Sequence, residues 1–400
     1  MKKYQLSQQF RLTHVQNTEG PIPTSQNAFY GLIDTTSDEC VVINSTMYLF
    51  LQQYEMPKTL TEVADFFAES FDATTREVLP IVRSFLNEMR DKGVIVTPKT
   101  AENSEIIAPH AVGAVVDTYR IEEILSANLP LEVYKATDLK TNNCVILKML
   151  RLSTKLPKQH QKALRDDFKK EFTIQKILRG CPTICQLLDL TPDYAVLEWF
   201  ESTSLRRRLA EENKGMNTAL CDNLLMQILD SYAFMHNRHV LHGDVHARNI
   251  LLSEHNHIKI IDFDLGHLLA NKTDFPPVRG GAPEFIPPEN VQFDAFEIVK
   301  GVATYQTEVY QLGIIAYWMV YGKVPFSGIT WQALATDILS KVIDFPLTNN
   351  KDEKISLGMQ LFLKKSLAKN PENRFASAKE MRDEFSVVLE NKKPIGASVF

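Results

Sequence analysis

The sequence has no basic surplus, no long apolar run and no paired-cysteine pattern. Its 44 Lys and Arg are outnumbered by 49 Asp and Glu, a formal net charge of −5. Neutralising nucleic-acid phosphates takes clustered Lys and Arg, so a nucleic-acid partner is not expected. The most apolar stretch, Leu312 to Tyr321, is about half of the ~20 residues a membrane span needs. No apolar segment follows Met1-Lys2-Lys3, because Gln5, Ser7, Gln8 and Gln9 interrupt it. A cytoplasmic protein without a membrane anchor is the expectation. The five cysteines are scattered, and Cys181 and Cys185 lack a second Cys/His pair at zinc spacing. Those two are expected to be plain buried thiols rather than metal ligands. There is no repeat and no low-complexity tract. What is present is an ordinary globular composition, 44% hydrophobic and 23% charged, over a length suited to two or three domains.

The charge is unevenly placed. Residues 1–110 hold nine basic and fourteen acidic side chains and so carry the whole net charge; the rest of the chain is balanced. Residues 1–27 are polar, contain Gly20-Pro21-Ile22-Pro23, and read as an N-terminal tail or extended arm. Residues 28–97 read as a small α+β unit. Tyr30 to Ile33 and Cys40 to Asn44 are strand-like and joined by turn-rich residues. Thr59-Leu60-Thr61-Glu62 fits a capping box, and Val63, Phe66 and Phe67 follow at helical spacing. A second helix is predicted from about Thr75 to Lys92, with Gly93 as its stop and Pro80 delaying or kinking its start. Val94 to Val96 suits a closing strand. Residues 98–116 read as a linker. Beyond Thr118 come strands over Tyr119–Leu125, Glu132–Asp138 and Cys144–Leu150, then a helix from about Gln161 to Leu178, then a largely helical region.

The densest chemistry lies in His242-Gly243-Asp244-Val245-His246-Ala247-Arg248-Asn249, followed by Ile260-Ile261-Asp262-Phe263-Asp264. This stretch resembles the catalytic loop and metal-binding segment of the eukaryotic-like protein kinases, and the phosphoryl transfer that this resemblance implies needs a carboxylate beside the attacking hydroxyl and oxygen ligands for Mg²⁺. Asp244 suits the first task; Asn249 and Asp262 suit the second. Taken singly, Asp244 with Asn249 is also a loop-capping pair, and Asp262 a turn residue. His242 and His246 do not make a zinc-protease helix, because Gly243 stands where that motif needs glutamate. His242 is expected to bond the backbone. His246 either touches a transferred phosphate or faces solvent.

In their order along the chain, these segments resemble the eukaryotic-like, Hanks-type protein kinases. Val145-Ile146-Leu147-Lys148 is similar to the strand bearing the phosphate-contacting lysine, with Glu171 as its ion-pair partner. Ala195-Val196-Leu197-Glu198-Trp199-Phe200 is similar to the hinge. Gly281 to Glu289 resembles the end of the activation segment, and Arg374 would pair with Glu289. Tyr310 to Gly313 and Gly322 to Phe326 complete the series. The resemblance covers about residues 117–390 and implies a bilobal kinase-like fold, with an N-lobe over 117–200, a C-lobe over 201–390 and a short tail over 391–400. It implies ATP and Mg²⁺ as cofactors. Asp244, Lys148, Glu171, Asn249 and His246 would be catalytic, and Asn249 and Asp262 would hold metal. Ser126, Asn128, Val133, Lys148, Glu198 and Phe200 would meet the nucleotide.

The sequence departs from that pattern in several places. Ser126, Asn128 and Leu131 stand where the phosphate-covering loop would have glycine, whose lack of a Cβ eases close approach. Gly243 replaces the arginine that would read a phosphate on the activation segment. Thr273 is the sole hydroxyl residue between His267 and Pro283. Activity is therefore expected not to depend on phosphorylation there. Asp264 replaces the last glycine of the metal-binding triplet, either as an added carboxylate or as a turn cap, with the cap favoured. Ala282 stands for a threonine that braces the catalytic aspartate, and Glu308 for an aspartate that anchors the catalytic loop. The HGD-x-H form is also similar to small-molecule kinases of the aminoglycoside and choline type.

Residues 28–97 resemble the PqqD-like family, winged-helix-like α+β domains that hold leader peptides of ribosomally made peptides (RiPP recognition elements). The segments carrying this are Cys40 to Asn44, Leu60 to Ala64, Phe85 to Met89 and Lys92 to Ile95. The resemblance implies a peptide partner added as a strand beside Ala28 to Ile33 or Cys40 to Ile43. A module that packs on the kinase, or that makes dimers, is the other reading. The whole chain thus reads as an ATP-dependent Ser/Thr protein or peptide kinase acting on a recruited ribosomal peptide. A pseudokinase scaffold and a small-molecule kinase are the alternatives.

Overall fold

A computed structural model describes residues 3–7, 10–15, 29–34, 40–43, 50–55, 57–70, 74–91, 94–97, 110–128, 130–152, 158–211, 216–270, 275–276, 282–291, 301–327, 331–349 and 351–391. Asn44, Lys92, Gly93, Thr273 and most of the expected linker lie outside them.

The N-terminal part is α+β. Strands β1 (Lys3–Leu6) and β2 (Phe10–Val15) occupy residues expected in a tail. Their polar composition hides a period of two, which sends Tyr4, Leu6 and Leu12 onto the N-terminal core. β2, β3 (Phe29–Asp34) and β4 (Cys40–Ile43) form one antiparallel sheet in that order. β1 lies between β5 (Lys58–Thr59) and β6 (Ile95–Val96). Helix α1 (Leu60–Ser70) starts at the predicted capping box: Thr59 N–H donates to Glu62 Oε2 at 2.7 Å, and Glu62 N–H to Thr59 Oγ1 at 3.2 Å. Helix α2 (Thr75–Asp91) contains Pro80 but starts at Thr75, because Thr74 N–H and its hydroxyl both reach Glu77 Oε2 and close the first turn. Val63, Phe67, Val82, Leu86 and Met89 bury the facing sides of these helices.

The next part is a six-stranded antiparallel sheet built from β7 (Val115–Val116), β8 (Tyr119–Asn128), β9 (Leu131–Asp138), β10 (Cys144–Leu150), β11 (Leu187–Leu190) and β12 (Tyr194–Glu198). Its order is β11-β12-β10-β9-β8-β7. Val115 and Val116, expected in the linker, already pair with β8. Lys148 lies directly opposite Val133 on one side and Ala195 on the other. Opposed residues share a face, so these three line one surface of the sheet. Helix α3 (Lys158–Ile177) packs against β11.

The remainder is mainly helical: α4 (Leu205–Glu211), α5 (Thr218–Asn237), α6 (Tyr305–Tyr321), α7 (Trp331–Ser340), α8 (Leu357–Ser366) and α9 (Ala378–Glu390). α6 is apolar nearly all round and accordingly buried along its length. Short strands frame the chemistry: β13 (Thr203–Ser204), β14 (Val240–Leu241), β15 (Ile250–Leu252), β16 (Ile258–Ile260) and β17 (His267–Leu268). β13, β15 and β16 form one sheet, and β14 pairs with β17. The segment 242–249 is therefore held between β14 and β15, and Asp262 between β16 and β17. No helix among the described residues is long and apolar enough to cross a membrane.

Candidate active site

Lys148 is buried, which would favour a neutral amine, yet its Nζ lies 2.8 and 2.9 Å from the two carboxylate oxygens of Glu171 on α3 and 3.3 Å from Asp262 Oδ1. These charges outweigh the burial and hold the lysine pKa well above its ordinary value. The pairing ties the sheet, α3 and the 262–264 segment together through one ammonium group. Asp262 has φ 68°, a left-handed conformation that costs a non-glycine residue energy and is found where surrounding contacts impose it.

Beside it His242 and Phe263 are both fully buried, with ring centroids 4.9 Å apart and planes tilted by 41°. His242 Nε2 donates to Ile261 O at 3.1 Å, while its Nδ1 accepts from Asp244 N–H at 3.3 Å. Burial keeps this imidazole neutral and lowers its pKa from 6.5. Ile261 N–H also donates to Asn249 O.

Asp244 sits at the centre of that loop. Its Oδ2 accepts from His246 Nε2 at 3.2 Å and from Asn249 Nδ2 at 3.3 Å. Its Oδ1 is buried and has no hydrogen-bond partner among the described residues. Burial opposes the charge, but the neighbouring His246, His242 and Asn249 prevail and hold the carboxyl below its ordinary value. Asp244 is thus an ionised group with one oxygen uncommitted, the state a base or hydroxyl-orienting group needs. Asn249 Nδ2 also donates to Asp244 O at 3.0 Å, which turns the amide oxygen away from Asp244. His246 Nδ1 accepts from Arg248 N–H at 3.1 Å and caps the short turn Ala247–Asn249.

Several substitutions in the pattern have physical compensation. Glu308 reaches Gly243 N–H with Oε1 at 2.9 Å and His236 Nε2 with Oε2 at 2.9 Å, so it anchors the loop with a longer arm. Gly243 has φ +80°, and a Cβ there would come within 2.1 Å of Leu265 O. Asp264 Oδ1 accepts from Leu265 N–H at 2.8 Å, which is a turn cap. Burial, then the charge of Asp262, pushes its carboxyl up to about 7. Arg374 gives two 2.7 Å bonds to Glu289 and further ones to Ala368, Gln306 and Lys369 carbonyls.

At the hinge, Glu198 N–H donates to Gln186 O, and its carboxylate is turned to Gln186 N–H and Lys259. Among the described residues no hydrogen bond engages Phe200 N–H. In the β8–β9 hairpin, pairing runs from Ser126 opposite Val133 to Asn128 opposite Leu131. The side chain of Asn128 lies outside the described residues. Sequence reasoning missed the pair between Arg206 on α4 and Glu284, 2.9 Å apart beside the activation-segment end. These residues are 78 apart, and no local pattern signals such a contact.

Mg²⁺ takes oxygen ligands and keeps several waters. A carboxylate and an amide oxygen, from Asp262 and Asn249, fit it. Among the described residues no group of three or more His, Cys, Asp or Glu could hold a metal alone.

The sheet, α3, the helical part and this site define the protein kinase class. Residues 131–386 match the family model of the protein kinase domain, and the chain belongs to that family of phosphotransferases. The serine/threonine-protein kinase PknB of Mycobacterium leprae is 26% identical over 289 residues, covering 70% of this chain and 44% of that protein. A probable serine/threonine-protein kinase of Clostridium acetobutylicum is 26% identical over 291 residues, covering 70% and 41%. The serine/threonine-protein kinase PLK4 of Drosophila grimshawi is 26% identical over 282 residues, covering 69% and 34%. The chain spans less than half the length of these relatives.

Proposed function

We propose that the chain is a cytoplasmic ATP-dependent kinase that phosphorylates Ser or Thr hydroxyls of a peptide or protein. The observation that carries this reading is the uncommitted, buried Oδ1 of Asp244 beside the Lys148–Glu171–Asp262 cluster. Asp244 accepts or orients the attacking hydroxyl. Lys148 neutralises phosphate charge, and Glu171 holds it in place. His246 donates a hydrogen bond toward the same carboxylate and lies where a transferred phosphate would pass. Glu198 C=O and Phe200 N–H meet the adenine edge, with Ser126, Asn128 and Val133 above the phosphates. Bound Mg²⁺, held by Asp262 and Asn249, would supply charge neutralisation at the phosphates.

The N-terminal part is proposed to be a PqqD-like recognition domain that takes a ribosomally made peptide as an added strand. Its support is the β2-β3-β4 sheet, the two following helices and the net charge of residues 1–110. β3 is not the edge expected from the sequence, since β2 and β4 occupy both its sides. Among the described residues the outer side of β4 has no partner strand and is the proposed docking edge. An acidic domain steers basic peptides, and salt weakens that steering.

Incubation of the full chain with Mg-ATP and Ser/Thr peptides of basic, neutral and acidic flanks, followed by mass mapping, tests both statements. Phosphate on Ser or Thr, with a preference for basic flanks that fades at high salt, supports them. Equal use of acidic peptides contradicts the recognition role. Phosphorylation only of small alcohols contradicts the peptide-kinase reading.

A further inference from the structure

A glycine-poor phosphate hairpin needs something other than flexibility to sit correctly over a nucleotide. Glu132 lies on β9 between Leu131, at the hairpin's end, and Val133, which faces Lys148. Alternation along the strand sends the Glu132 side chain to the opposite face of the sheet, where only 1% of the residue is exposed. A buried carboxylate on the far side of a nucleotide sheet is costly unless it is engaged. Tyr134, fully buried on the same face, donates its hydroxyl to Glu132 Oε2 at 2.6 Å. Arg151 places Nη1 3.5 Å from the same oxygen. The backbone N–H of Arg151 donates to Pro130 O at 2.7 Å, one step past the last β9–β10 pair, Leu131 with Leu150. Arg151 therefore holds the tip of the hairpin by its backbone and Glu132 by its side chain. His110 N–H donates to the Tyr134 hydroxyl at 2.9 Å and closes the cluster from the preceding segment.

We propose that Glu132, with Tyr134 and Arg151, is a positioning residue that fixes the phosphate hairpin over the nucleotide from the sheet's far face. This rests on the reading of the site as a nucleotide-binding phosphotransferase. The hairpin's backbone geometry is set by a buried polar clamp where glycine would otherwise let it settle onto the phosphates. The clamp touches neither nucleotide nor acceptor, so its loss acts on nucleotide affinity before it acts on chemistry.

The experiment measures Mg-ATP dissociation constant, KM for ATP, kcat and thermal midpoint for the full chain and for Glu132→Gln and Tyr134→Phe. Each variant removes one hydrogen-bonding or charge partner at near-constant shape. The expected result is a rise of about five- to tenfold in both the dissociation constant and KM for ATP, the effect of about one hydrogen bond, with a much smaller fall in kcat. Tyr134→Phe guards against loss of folding in Glu132→Gln. A merely structural cluster would lower the thermal midpoint and leave KM for ATP unchanged in the folded protein, and that overturns the proposal. Wild-type protein that binds no Mg-ATP overturns the underlying reading, and this proposal with it. Wild-type binding with equally tight binding by both variants overturns this proposal alone.

Discussion

His246 donates from Nε2 to Asp244 Oδ2 at 3.2 Å, and its Nδ1 is already engaged as the acceptor for Arg248 N–H at 3.1 Å. A ring nitrogen that accepts carries no proton, so the neutral ring keeps its proton on Nε2, facing the carboxylate. His246→Ala removes that donor and the turn cap together. It is expected to lower kcat about 10²-fold, as loss of a single aimed donor does. His246→Lys restores a donor and should recover part of the loss in steady-state kinetics. Equal kcat for wild type and His246→Ala would leave His246 as a turn cap with no part in the chemistry; the solvent-facing alternative does not hold, because its side chain is 12% exposed and both ring nitrogens are engaged.

The Lys148–Glu171 pair joins two elements that sequence separates by 23 residues. Lys148→Met leaves Glu171 buried without its partner. The expected outcome is loss of turnover by about 10²-fold or more, from lost phosphate stabilisation, together with a lower thermal midpoint from the stranded carboxylate. Both are read from initial rates and a melting curve on the same preparation.

Gly243 has no room for a side chain. Gly243→Ala would place a Cβ 2.1 Å from Leu265 O at φ +80°. The predicted effect is about 1–3 kcal/mol of lost stability, with a disturbed Gly243–Glu308 bond and reduced kcat. Denaturant unfolding measures the first and initial rates the second.

Arg374 is fully buried as a side chain and ion-paired with Glu289. Removing one partner of such a pair costs about 3–5 kcal/mol, because the other is left uncompensated. Glu289→Ala should therefore destabilise the fold strongly, and Arg374→Met less so than Arg374→Ala, since the methionine fills space. Denaturant midpoints rank the three.

His242 makes stability depend on pH. Its folded pKa lies below 6.5, so in acid the unfolded chain binds more protons than the folded one. Its contribution is complete above 6.5 and is lost as pH falls through the unfolded and then the folded value. His242→Gln should flatten the fall of the thermal midpoint between pH 7 and pH 5.

The kinase part was readable from sequence because its chemistry is local. Asp244, Asn249 and Asp262 lie within one short stretch, and the Lys148 strand announces itself by its apolar run. The capping box at Thr59 was equally local. What escaped depends on distant partners. Glu132 looks like an ordinary strand residue until Tyr134 and Arg151 are placed behind it. Arg206 and Glu284 meet only through tertiary packing. β1 and β2 escaped because half of each strand is polar, and only a sheet explains the alternation. Glu308 stands where an aspartate would anchor the catalytic loop, and its extra methylene still delivers a carboxylate oxygen to Gly243 N–H.

The most direct test of phosphoryl transfer at Asp244 is phosphate transfer from Mg-ATP to a Ser/Thr peptide by wild type and by Asp244→Asn, with nucleotide binding measured on both. The account predicts that both proteins bind Mg-ATP while the variant transfers phosphate about 10³-fold more slowly. Equal transfer by the two proteins, or none above background by either, would contradict it.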